Sequence, residues 1–168
     1  NINLKKEKRA LENKLFHSYD IIGQSQSIEK VKNLITKLAS TESRIFISGP
    51  AGSGKELIAR QIHKQSSRSK KPFVVVNGAL LDPQKYEQEL FGIENKDETI
   101  NYGFFEKAKD GTLMIDGVSE IPLDTQAKIL RVLVDQKFKR INGSNEINVN
   151  VRIISTSSKN IREEINKG

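Results

Sequence analysis

Gly49-Pro50-Ala51-Gly52-Ser53-Gly54-Lys55 decides how this chain folds. The residues before it, Arg44-Ile45-Phe46-Ile47-Ser48, form an apolar run that reads as a buried strand. Those after it, Glu56-Leu57-Ile58-Ala59-Arg60-Gln61-Ile62, space their apolar members as a helix does. A strand, a glycine loop and a helix in that order form a phosphate-binding loop. The glycines let the backbone curl until several N–H groups face one anion. The helix that begins there adds the positive end of its dipole, and Lys55 reaches the outer phosphates. The alternative, a glycine-rich turn beside a surface lysine, leaves the flanking strand and helix unexplained. One position departs from the general pattern. Serine or threonine usually follows the lysine and holds magnesium through its hydroxyl, whereas here the residue is Glu56. Either the metal is held differently or a particular subfamily is in view.

The bulk properties suit one domain, or one domain with a linker, of 168 residues. With no cysteine, disulfides and thiolate metal sites are excluded, in keeping with a cytoplasmic setting. No apolar run reaches membrane-spanning length, and no apolar stretch follows the basic start, so no signal peptide is expected. The net charge of +7 raises nucleic-acid binding. The basic clusters, Lys5, Lys6, Lys8 and Arg9, then Arg60, Lys64, Arg68, Lys70 and Lys71, carry no interleaved aromatics or recognition motif. A solvated basic face is the expectation.

From Leu4 to His17 the pattern is that of an exposed helical linker, so residues 1–20 are assigned as a linker helix. Ser25 is an N-cap for a helix whose apolar face is Ile28, Val31, Leu34, Ile35 and Leu38. Phe73-Val74-Val75-Val76-Asn77 reads as a second buried strand, and Asp82-Pro83 as the start of a helix leading to Leu90-Phe91. Gly92 to Tyr102 has no apolar period and reads as a loop. Gly103 to Ala108 is a short helix, and Asp110-Gly111 turns the chain into a third strand, Thr112-Leu113-Met114-Ile115-Asp116. Asp124 to Gln136 is an amphipathic helix with Ile129, Leu130, Leu133 and Val134 on its apolar face. Asn142-Gly143 is a hairpin-type turn between Phe138–Ile141 and Ile147–Thr156. The second of these runs into a fourth core strand, Val151 to Thr156, and a last helix starts near Asn160. Alternating buried strands and helices imply an α/β fold, a parallel sheet flanked by helices on both faces. Phosphate ligands on such sheets sit at the carboxyl ends of the strands, so Lys55, Asn77, Asp116 and Ser158 should converge on one cleft.

A phosphate loop needs an acid on a neighbouring strand for magnesium. Leu113-Met114-Ile115-Asp116 has that form. Hydrolytic relatives of this arrangement add a glutamate directly afterwards to polarise water, and here that residue is Gly117. Loss of a general base costs about two to four orders of magnitude in rate. Glu120, three residues on, is the remaining acid able to act, with a different direction from the strand tip.

These motifs together resemble the central AAA+ domain of bacterial enhancer-binding proteins, the activators of sigma-54 RNA polymerase. The resemblance runs from Ile21 to Gly168. It implies a P-loop NTPase AAA+ nucleotide-binding subdomain, here truncated before the family's arginine fingers and helical lid. Ile21-Ile22-Gly23-Gln24-Ser25 resembles the loop that packs on adenine, with Ile21, Ile22 and Gly23 as its binding residues. Gly49, Pro50, Ala51, Gly52, Ser53, Gly54, Lys55, Glu56 and Leu57 match the phosphate loop, where glutamate after lysine is the family's usual residue. Asn77 resembles the residue that orients the catalytic glutamate, Asp116 the magnesium-binding acid, directly or through water, and Ser158 the sensor. Glu89-Leu90-Phe91-Gly92, Gly103-Phe104-Phe105-Glu106 and Gln126 to Leu133 follow in the family's order. In typical members a Gly-Ala-Phe-Thr-Gly-Ala loop tip touches the sigma factor. Ile93 to Tyr102 is shorter and lacks it, as in the NtrX-type response regulators, a branch without that loop. No direct sigma-54 contact is therefore expected.

The resemblance implies ATP or ADP with magnesium as cofactors and self-association into a dimer or ring. It also implies a receiver addressed by a sensor histidine kinase and a DNA-reading domain, neither of them in this chain. Four functions remain open: a nucleotide-binding regulatory module with slow or no hydrolysis, an active ATPase that uses Glu120, a scaffold with a decayed site, and a small-molecule kinase. The ordered motifs speak against the last.

Overall fold

The structure, a computed structural model, describes residues 20–82 and 84–167. The linker-helix assignment, the first basic cluster and Pro83 lie outside those residues. In chain order the elements are α1 (Gln26–Ala39), β1 (Ile45–Ser48), α2 (Lys55–Lys64), β2 (Phe73–Asn77) and α3 (Tyr86–Phe91). A small pair, β3 (Ile93–Glu94) and β4 (Ile100–Asn101), precedes α4 (Phe104–Lys107) and β5 (Thr112–Asp116). A 3-10 turn, Val118–Glu120, then leads to α5 (Leu123–Asp135), β6 (Lys137–Lys139), β7 (Glu146–Asn148), β8 (Arg152–Ser157) and α6 (Ile161–Lys167).

β1, β8, β5 and β2 lie side by side in that order, all parallel. Side chains alternate across the sheet, so β2, β5 and β8 each feed two cores. Ile45, Met114 and Ile154 pack with Ile35 and Ala39 of α1 and Ala59 and Ile62 of α2. Val76, Leu113, Ile115 and Ile153 pack on the other face with Leu90, Phe91, Phe105, Ile129 and Val132 from α3, α4 and α5. Helices thus cover both faces, as the alternating pattern implies. Ser25 caps α1 by accepting from the Ile28 amide at 3.3 Å.

Five expectations need correction. Leu34 is exposed although it sits in the apolar pattern of α1, and so are Leu130 and Val134 on α5. Val132 and Thr125 take the buried side of α5 with Ile129, because the helix is rotated so that its i, i+4, i+7 row, rather than Leu130, meets the sheet. Asp82 does not start a helix. Its carboxylate accepts from the Gln84 amide at 3.0 Å and closes a turn, and α3 begins only at Tyr86. The stretch Ile147–Thr156 is two strands rather than one. β7 pairs antiparallel with β6, while β8 joins the main sheet after a break at residues 149–151. The β6–β7 connection is also longer than a two-residue turn, since Lys139 pairs with Glu146; Asn142 supplies the left-handed residue at φ 61°.

The fifth correction concerns residues 92–102, which form a short antiparallel hairpin with Ile93 opposite Asn101 and Glu94 opposite Ile100. Its cause lies far away in sequence. Arg140 grips Glu106 through two nitrogens, at 2.9 and 2.6 Å, and Glu94 through a third at 2.9 Å. The Glu94 amide also donates to the Ile141 carbonyl at 3.0 Å. The hairpin is thereby tied to the β6–β7 hairpin.

The second basic cluster is largely paired within the fold. Arg60 meets Glu56 at 2.6 Å, Lys64 meets Asp20 at 2.9 Å and Arg68 meets Glu42 at 2.8 Å. Buried nearby, His63 shares a 2.9 Å hydrogen bond with Thr112 through Nδ1. Burial first, with the positive fields of Arg152, Arg60 and Arg68, holds its imidazole below the ordinary histidine value, against the Lys71 backbone hydrogen bond. Above about pH 6.5 the folded and unfolded chains are both neutral there. Below it the unfolded chain takes up a proton that the folded chain refuses until its lowered value is reached, so this contribution to stability falls with pH in that window. His63→Asn should flatten the decline in melting temperature between about pH 7 and 5. Parallel declines in the two proteins would contradict the assignment.

Candidate functional site

The loop between β1 and α2 is built by the sign of its backbone angles. Gly52 (φ 77°) and Gly54 (φ 84°) are both left-handed, and a Cβ at either would meet nothing within 4 Å. Conformation, not space, therefore requires glycine at these two positions. Gly54 is the N-cap of α2 and no side chain caps that helix, so its first-turn N–H groups are left for an anion. Lys55 folds back over the loop, its ammonium donating to the Gly49 and Pro50 carbonyls at 2.9 Å each. Glu56, the unusual residue after the lysine, is drawn along the helix by Arg60. Its charge is thus compensated one turn away from the cradle.

The facing wall comes from the tips of β2, β5 and β8. The parallel register places Asn77 beside Asp116. The Asn77 side chain accepts from the Ala79 amide at 3.0 Å and turns the chain away from the strand. The Gly78 amide donates to the Asp116 carbonyl at 2.7 Å, and a Cβ on Gly78 would lie 2.6 Å from the Gly117 carbonyl, so these two loops lie backbone to backbone. Gly117 is left-handed (φ 71°, ψ 48°) and opens the 3-10 turn that ends at Glu120. That turn swings Glu120 back: its Cγ lies 3.5 Å from where a side chain at residue 117 would begin. Lys159 holds the Glu120 carboxylate at 3.0 Å, and this hydrogen bond keeps the lysine ammonium above its ordinary value.

Between the two walls lies an open cleft of about 480 Å³. Ala51, Gly52, Gly54, Lys55, Glu56, Asn77, Asp116, Glu120 and Ser158 line it, together with Ala79 and Gly117. Gly49 and Pro50 contribute through the carbonyls that hold Lys55, while Ser53 braces the loop, its amide donating to the Pro50 carbonyl at 3.2 Å. Leu57 is half-buried in the first turn of α2. Ile21, Ile22 and Gly23 are not in the lining. Ile21 packs against the core on the α1–α2 face and Ile22 is 93% exposed. Sequence reasoning missed Thr156, a fully buried hydroxyl beside Asp116. Nothing in its own strand singled it out, since four of the six residues of Arg152–Ser157 are polar.

Among the described residues no group of three or more His, Cys, Asp or Glu comes together. The described residues thus offer no all-protein metal cage. Magnesium suits what is present, since it is ordinarily held by one or two carboxylates, phosphate oxygens and water. No helix among those residues is long and apolar enough to cross a membrane.

The sequence profile of the Sigma-54 interaction domain matches residues 21–168. The nitrogen assimilation regulatory protein NtrX of Azorhizobium caulinodans is 42% identical over 168 residues, covering 99% of this chain and 37% of the relative. The transcriptional regulator NtrC of Escherichia coli K12 is 38% identical over 153 residues, covering 89% of this chain and 33% of the relative. The crystal structure of Brucella abortus NtrX in complex with ATP superposes with a TM-score of 0.88 at 43% identity, covering 99% of this chain and 38% of that one. The P-loop NTPase domain of an Escherichia coli sigma-54 activator, at 20% identity and a TM-score of 0.58, shares the fold over 87% of this chain and 84% of its own. The chain thus spans about a third of the length of these curated regulators. With its glycine cradle and strand-tip acid facing each other on a parallel sheet, the chain belongs to the Sigma-54 interaction domain family and takes the AAA+ P-loop NTPase fold.

Proposed function

We propose that this chain is the ATP-binding, self-associating central module of a two-component response regulator that controls transcription. The observation that carries the reading is the single cleft shared by Lys55, Asn77, Asp116 and Ser158 at the carboxyl ends of the strands. The phosphates of ATP or ADP would lie on the glycine loop and the first turn of α2, with Lys55 leaving its two carbonyl partners for phosphate oxygens. Asp116 would hold magnesium, directly or through water, and the ion when bound screens phosphate charge. Brucella abortus NtrX, crystallised with ADP and with ATP, supports the choice of nucleotide. In this reading residues 21–168 are the nucleotide-binding subdomain and residues 1–20 its linker. A receiver served by a sensor histidine kinase and a DNA-reading domain belong to other parts of the full-length, cytoplasmic protein. The short hairpin at Ile93–Asn101, pinned by Arg140, takes the place of a sigma-contacting loop, so this subdomain makes no direct sigma-54 contact.

Hydrolysis is slow, because Gly117 offers no carboxylate where a general base is worth about two to four orders of magnitude. A second reading has one observation in its favour: Glu120 reaches over Gly117 into the cleft, so an acid stands near the vacated position. Calorimetric titration of Mg-ATP into the full-length regulator tests the first claim, and no heat of binding would end it. Steady-state turnover with Glu120→Gln separates the two readings. We expect turnover to be low and insensitive to that change; its loss in the variant would make Glu120 the base. Gly117→Glu should raise turnover while costing stability of about 1–2 kcal/mol, since a side chain there is forced into the left-handed region. Equal rates in parent and Gly117→Glu would show that this position does not matter to the chemistry.

A further inference from the structure

On the face of the sheet toward α2, the row that ends in Asn77 and Asp116 continues one strand further to Thr156. This residue is fully buried, and a valine would fill the same space. A buried hydroxyl needs partners, and here it has two. The Gly117 amide donates to Thr156 Oγ1 at 3.2 Å, and Thr156 Oγ1 donates to Asp116 Oδ1. The direction of this relay is forced at both ends: an amide N–H only donates, and an ionised carboxylate only accepts. The hydroxyl proton therefore points at Asp116. Oδ1 is occupied, and Oδ2 is the oxygen left to meet a cation.

We propose that Thr156 is a positioning residue for divalent metal: its hydroxyl, aligned by the Gly117 amide, locks the Asp116 carboxylate in the orientation that receives the magnesium of a bound nucleotide. The inference rests on the nucleotide-binding reading and deepens it. The same tip of β8 makes two further ties to the turn after Asp116. Ser157 and Ser119 hydroxyls lie 3.1 Å apart, and Lys159 meets Glu120 at 3.0 Å. The acid therefore sits on a turn held at three successive points, and the Thr156 bond is the one that touches its carboxylate. Partners that orient a metal-ligating carboxylate are worth about 10–100-fold in metal affinity.

The test is calorimetric titration of ATP into the full-length protein, once with excess magnesium and once with chelator. The ratio of the two affinities is the magnesium increment. In Thr156→Val the increment should fall about 10–100-fold while the metal-free affinity, which depends on the glycine loop and Lys55, stays at the parent value. Thr156→Ser, which keeps the hydroxyl, should restore the increment. Circular dichroism checks folding, and Thr156→Ala replaces the valine variant if that one does not fold. A valine variant with the parent's increment would overturn the proposal. So would a serine variant as impaired as valine, since packing rather than the hydroxyl would then be at work. A parent protein that binds ATP with no magnesium increment overturns this inference alone; one that binds no nucleotide at all overturns the nucleotide-binding reading with it.

Discussion

Lys55→Ala should lower ATP affinity by about 100-fold or more. In the structure the ammonium is satisfied by two neutral carbonyls of its own loop. A triphosphate offers it anionic oxygens at the same radius of reach, and hydrogen bonds to charged groups contribute about 1.5–3 kcal/mol each. Two such bonds lost, at about 1.4 kcal/mol per tenfold, give the predicted drop. The fold should tolerate the change, because Lys55 is only half-buried and its ammonium bonds to loop carbonyls rather than to a core group. Calorimetry with a circular-dichroism control measures both quantities. Lys55→Arg should not restore binding, since a planar fork cannot replace a compact ammonium inside so tight a loop. An alanine variant that binds as tightly as the parent would place the phosphates elsewhere.

Phe105→Ala should destabilise the fold by about 3–5 kcal/mol. Phe105 is fully buried and stacks on Phe91 with centroids 5.5 Å apart and planes 8° apart. Phe138 closes the cluster, 6.0 Å from Phe105 and 5.7 Å from Phe91. The three rings join α3, α4 and the β6–β7 hairpin within one buried cluster. Removing the central ring leaves a cavity that its short helix, only Phe104–Lys107, is too constrained to collapse. Urea unfolding should show a lower midpoint with an unchanged slope. A loss below about 1 kcal/mol would mean that the neighbouring rings close the gap. None of the three rings lines the cleft, so metal-free ATP affinity measured well below the midpoint should not move.

The parts of the site that were legible in the chain were those made by neighbours in sequence. Glycines at 52 and 54 allow the left-handed backbone that this loop needs, and a lysine directly after them is carried to the mouth of the loop. Asp116 was legible because an acid ending a run of buried strand residues has one place to go, the strand tip. Illegible were features that depend on a partner far along the chain. The hairpin at 93–101 had too few apolar residues to announce itself, because Arg140, forty-six residues after Glu94, holds it in place. Leu34, Leu130 and Val134 fit a helical period, yet the period does not say which of two adjacent stripes meets the sheet. Ile22 matched a family motif and lies in solvent, because only Ile21 of that pair turns toward the core.

By itself the sequence determined a phosphate cradle on a parallel sheet and the absence of an acid at residue 117, since both follow from residue type and short-range backbone rules. Only the tertiary structure decided that Gly117 is left-handed, that Glu120 therefore swings over it, and that a threonine forty residues beyond Asp116 holds its carboxylate. The reason is physical: which groups meet at the tips of three parallel strands depends on strand order and register, and these are set by how two faces of one sheet bury their side chains, not by any local run of residues.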